Sequence, residues 1–86
     1  MPQVSRFFGI VIKMYYNDHQ PPHFHAEYNE YEAEISIDTF AIIRGELPRR
    51  VLGLVLEWAA IHRDELRQNW DNARGRRLIS TIEPLE

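Results

Sequence analysis

The chain has no cysteine among its 86 residues. That excludes disulfides, thiolate metal sites and a cysteine nucleophile, and it suits a reducing, cytoplasmic setting. It also has almost no lysine: nine of its ten basic residues are arginine. A diffuse lysine cloud is therefore excluded, and any recognition of carboxylate or phosphate would use forked guanidinium contacts. Long apolar runs are missing too. Arg6 interrupts the only apolar stretch near the N-terminus, and Phe7 to Ile12 is too short for a signal-peptide core or a membrane span. No membrane association is expected.

A hydrophobic content of 44% with 27% charged residues is that of a folded protein rather than a disordered tail. The length predicts one domain over residues 1–86 with a thin core. Net charge is −3, unevenly spread. Residues 1–43 carry −4, residues 44–77 carry +3, and the last nine residues carry −2. The arginine-bearing middle is a weak footprint for nucleic acid. An acidic chain of this size also suits docking to a basic protein partner.

Residues 1–4 read as a short lead-in. Residues 6–16 (RFFGIVIKMYY) are apolar on both alternating faces and predict one covered strand. NDHQPP, from Asn17 to Pro22, is a loop stiffened by its prolines. Residues 23–28 and 31–38 alternate cleanly and predict a hairpin turning at Asn29-Glu30. Its Phe24/Ala26/Tyr28 face should be buried and its His23/His25/Glu27 face wet. Residues 39–44 predict a further strand. Pro48 opens a strong 3.6-residue periodicity that predicts one helix over residues 48–71. Residues 77–86 predict an extended tail or short strand. The expectation is an α+β fold: a small, mainly antiparallel sheet of three to four strands packed on one long C-terminal helix.

The chemistry-bearing stretch is HQPPHFHAEYNEYEAEI, from His19 to Ile35. A turn centred on Asn29-Glu30 makes opposing positions sum to a constant. His25 then faces Glu34, Glu27 faces Glu32, and His23 faces Ser36. A carboxylate across from an imidazole orients it. Two directly opposed glutamates are unfavourable unless a cation lies between them.

Three readings stay open. The first is a metal site built from His19, His23, His25 and Glu27 or Glu34, with zinc or nickel as the divalent ion. The second is metal-free acid–base cleavage of RNA. There His23 and His25 would act with Glu34, and Arg49 or Arg63 would hold the phosphate. The third is a solvated sheet face without chemistry. His62 falls in the apolar face of the helix, either as a satisfied core histidine or as a further binding residue. The chain is thus open to enzymatic and non-enzymatic readings alike.

SRFFGIVIKMYYNDHQPPHFHAEY, LPRRVLGLVLEWAAIHRDELRQNW and a closing IEPL resemble the small bacterial family known as domain of unknown function 4160. The pattern falls on Phe8, Gly9, Pro22, His23, His25, Glu32, Trp58, His62 and Trp70. The resemblance implies a bacterial accessory protein in toxin–antitoxin-like neighbourhoods, with no established activity. The leading expectation is one component of such a pair, working through a small protein partner or self-association and cleaving RNA if it is the active half. The alternative is a non-catalytic metal-binding or structural interaction module.

Overall fold

Period-2 alternation of apolar side chains writes most of this fold, and the turns between the strands set its topology. The computed structural model describes residues 3–86; Met1 and Pro2 of the expected lead-in lie outside the described residues. Five strands form one antiparallel meander in the order β1-β2-β3-β4-β5. They are β1 (Gln3–Phe7), β2 (Ile10–Lys13), β3 (His23–Tyr28), β4 (Tyr31–Ser36) and β5 (Ile42–Glu46). Two helices follow, α1 (Arg49–Ile61) and α2 (Arg63–Arg74). The class is α+β, but the strand and helix counts both differ from expectation.

The single strand expected over residues 6–16 is a hairpin. Phe8 (φ 50°) and Gly9 (φ 79°) are both left-handed, and Phe7 pairs with Ile10 around them. Two such residues in succession form the mirror-image turn that matches strand twist. A glycine accepts that conformation readily, whereas a phenylalanine there is unusual. The β3–β4 hairpin has the expected register: His23 opposite Ser36, His25 opposite Glu34, and Glu27 opposite Glu32.

The strand expected over residues 39–44 begins later. A turn intervenes, in which Phe40 takes φ 63° and its N–H donates to the Ser36 carbonyl at 2.9 Å. Gly45 then lets β5 approach β4. A Cβ at this position would lie 2.1 Å from the Glu32 carbonyl oxygen, and the residue has φ +82°. Gly45→Ala should therefore cost about 1–3 kcal/mol of stability through clash and backbone strain together. Urea denaturation checks this; an unchanged midpoint would mean that β5 does not pack this closely.

The expected single helix breaks at His62 (φ −114°, ψ 26°). The ladder nearly survives, because the His62 N–H donates to the Trp58 carbonyl and the Leu66 N–H to the His62 carbonyl. Asp64 and Glu65 occupy the first turn of α2, where the positive end of the helix dipole favours them. Beyond α2 the tail is extended but forms no strand. It is tied down by the Ile82 N–H to the Val4 carbonyl (2.7 Å) and by paired hydrogen bonds between Asn69 and the Ser80 backbone (2.8 and 2.9 Å).

The core is a continuous apolar cluster of Ile10, Ile12, Phe24, Ala26, Ala33 and Ile35 from the sheet with Val51, Val55, Trp58 and Leu66 from the helices. Trp58 is its centre, with ring centroids 5.4 Å from Phe7 and 6.0 Å from Phe24. The helical segment also reaches the other side of β3: the Trp70 ring lies 5.3 Å from His23. Consequently the face expected to be wet is buried at this end. His23 is fully buried, and His25 and Ser36 nearly so. Among the described residues, no helix is long and apolar enough to cross a membrane.

Candidate metal centre

The site forms where the Asn17–Pro22 loop folds back over the start of β3. Strand alternation sends His23 and His25 to the face opposite Phe24, and the hairpin register brings Glu34 alongside them. The loop adds Asp18 and His19. The Asp18 Oδ2 atom is 2.7 Å from His25 Nε2 and 3.1 Å from His23 Nε2. Glu34 Oε1 is 3.6 Å from His23 Nε2 and 3.5 Å from His19 Nε2. Two overlapping triads result, Asp18/His23/His25 and His19/His23/Glu34, each with its donor atoms within 4.8 Å of one another. His23 belongs to both.

The two nitrogens of His23 have different roles. Nδ1 lies 2.7 Å from the Pro21 carbonyl oxygen and can only donate there. In a neutral ring Nε2 then carries the lone pair, and that atom faces the carboxylates. It is buried and makes no hydrogen bond, despite its closeness to Asp18. Glu34 Oε1 is likewise buried without a partner. Buried polar atoms left unpaired are costly, and a lone pair set against carboxylate oxygens is relieved by positive charge between them, carried by a proton or by a metal ion.

The surroundings orient the cluster. His25 hydrogen-bonds to Asp18, and the Tyr15 ring stands edge-on to it at 4.6 Å. Burial pushes the Tyr15 hydroxyl above its ordinary pKa. His19 and Glu32 are half exposed and form the rim toward solvent.

Several expected residues lie elsewhere. Glu27 shares the face but is held by Lys13 at 3.1 Å, and the same contact raises the Lys13 pKa. Lys13 is thus the cation that relieves the opposed pair Glu27 and Glu32, its charge acting on both. His62 sits at the helix break, bonded through Nδ1 to Glu65 and packed on Trp58, apart from the other histidines. Arg63 lies over the Phe40 ring at 4.3 Å, and Arg67 pairs with Asp38. Arg49 is exposed at the start of α1.

Asp18 is the member that sequence reasoning passed over. The one signal available was an acid immediately before the first histidine of a proline-stiffened loop, and a loop offers no periodicity to give it a direction.

Comparison with known proteins adds a family and nothing further. No curated protein and no solved structure matches the chain. The family model described as a domain of unknown function (DUF4160) matches residues 9–71, which include every member of the cluster. The matched span is well over half of the chain, so the protein belongs to the DUF4160 family that its motifs resemble.

Proposed function

We propose that this protein is a divalent-metal-binding module. His19, His23 and Glu34 form one triad that would hold the ion; Asp18, from the triad it shares with His23 and His25, would close onto it as a fourth ligand, oriented by His25 from behind. One observation carries the reading: His23 Nε2 and Glu34 Oε1 are both buried, both without a hydrogen-bond partner, and 3.6 Å apart. Ligand atoms around a tetrahedral zinc ion at ordinary bond lengths sit about 3.4 Å from one another. The separations of 3.1, 3.5 and 3.6 Å are of that size.

The His23–Pro21 and His25–Asp18 contacts are the outer-shell bonds that fix imidazole tautomers and carboxylate rotamers around metals. Imidazole and carboxylate donors without a thiolate suit zinc or nickel.

Dialysis of chelator-stripped, untagged protein against zinc should give about one equivalent per chain, and His23→Ala should take up less than about a tenth of that. Wild-type uptake as low as the variant's would sink the reading.

A second reading keeps the bacterial, cytoplasmic, toxin–antitoxin-like setting and has His23 and His25 cleave RNA without metal. What favours it is the 2.7 Å contact of His25 with Asp18, an imidazole oriented by a carboxylate. Both Nε2 atoms turn inward to Asp18, however, and Arg63 is engaged with Phe40. RNA cleavage that survives chelation and disappears in His25→Ala would favour this reading over the first.

A further inference from the structure

One row of polar side chains crosses four strands on the metal face. Lys13 of β2 pairs with His25 of β3, His25 with Glu34 of β4, and Glu34 with Arg44 of β5. Directly paired residues of adjacent antiparallel strands project to the same side, with Cβ atoms about 5 Å apart. The row therefore sets a cation at each end of the His25–Glu34 pair. Lys13 is engaged by Glu27. Arg44 is exposed, and among the described residues it takes part in no ion pair and no side-chain hydrogen bond.

Arg44 also has room for a ligand. With Glu32, Ala33, Glu34 and Gly45 it lines a surface depression of about 340 Å³. Glu34 is common to that depression and to the candidate metal cluster. Gly45 holds the backbone of β5 against the Glu32 carbonyl, which fixes where the neighbouring Arg44 leaves the sheet. A guanidinium beside a carboxylate ligand is the pairing that presents two kinds of cation to one oxyanion.

We propose that Arg44 is the anion-holding residue of this centre, and that the metal-loaded protein takes the phosphate group of a small molecule between Arg44 and the ion held at Glu34. This rests on the metal-binding reading above. Charge makes the two events dependent. Without the ion, Asp18, Glu27, Glu32, Glu34 and Glu46, the last paired with Glu32, outnumber Lys13 and Arg44 on this face, and an anion is repelled. A divalent cation offsets two of those negative charges and sits beside Glu34, so an anion at that end meets positive charge from both the ion and Arg44. By linkage, phosphate must then tighten metal binding by the same factor by which metal tightens phosphate binding.

The experiment uses the full chain loaded with cobalt(II), a visible-absorbing stand-in for zinc. Cobalt uptake is measured first, without phosphate, and inorganic phosphate is then titrated by absorption and calorimetry. The loaded protein should bind phosphate at least about tenfold more tightly than the metal-free protein. Arg44→Ala should keep its cobalt affinity within about twofold and lose about tenfold or more in phosphate affinity, the size of one charge-assisted contact. Arg44→Lys should recover only part, since it restores charge without the fork. Acetate in place of phosphate should bind more weakly.

Cobalt-loaded protein that ignores phosphate would overturn the inference while leaving the metal site standing. So would Arg44→Ala that binds phosphate like the wild type. Failure to take up cobalt would remove both, and the first measurement separates these cases.

Discussion

Asp18→Asn is expected to weaken zinc binding about a hundredfold or more while the protein stays folded. The substitution keeps the shape of the side chain and an oxygen that can still accept from His25, so it removes charge and little else. At an effective dielectric of about 20, a unit charge at contact with an ion is worth several kcal/mol. A hundredfold, about 2.7 kcal/mol, is thus a lower bound. Glu27→Gln is the matched control. It removes the same charge from the same sheet face, but from a carboxylate bound to Lys13. Its effect should stay within about threefold, as for a partly screened surface charge. Competition against a chromophoric chelator measures both. Equal losses in the two variants would mean diffuse electrostatics, and would remove Asp18 from the coordinating set.

Trp58→Ala should cost about 3–5 kcal/mol of folding stability, the range for truncating a large buried aromatic. Domains of this size have about 5–15 kcal/mol in total, so the variant should be largely unfolded at modest urea. The reason is the number of elements meeting at one indole. It is fully buried, packs on Phe7 of β1 and Phe24 of β3, and donates its N–H to the Glu83 carbonyl at 2.8 Å. Trp58→Phe keeps most of the packing and loses the hydrogen bond, leaving a carbonyl unpaired, and should cost about 1–3 kcal/mol. The gap between the two variants separates core packing from tail anchoring. A loss below about 1 kcal/mol in Trp58→Ala, by far-ultraviolet circular dichroism in urea, would show that the core is not organised around this side chain.

Which parts of this were legible in sequence follows from where periodicity operates. The β3–β4 register was readable because alternation is strict on both strands and the turn is symmetric about Asn29-Glu30; a slip by one residue would bury glutamates and expose Phe24. The β1–β2 hairpin was not readable, because Arg6 to Tyr16 carries apolar residues on both alternating faces and its turn contains a left-handed phenylalanine rather than an asparagine. The break at His62 was hidden by an apolar stripe that runs on through Leu66 and Trp70. Asp64 and Glu65 marked a new helix start there. The site divides the same way. His23, His25 and Glu34 follow from strand parity, whereas Asp18 depends on a loop path and Arg44 on a strand that begins later than its apolar residues suggest. Burial of the polar face also lay beyond reach, since it depends on Trp70 arriving from a helix far along the chain.

Asp18 and Glu34 stand on opposite sides of a loop and a β-hairpin, brought together only when β3 and β4 are in register. An ion gripped by both would act as a cross-link between them, closing that length of chain much as a disulfide would. In a protein without sulfur bridges and with a thin interior, loading and folding would then be linked equilibria, the ion adding stability to a chain that also folds without it. Metal supply would set not just what the molecule can bind but how long it survives proteolysis.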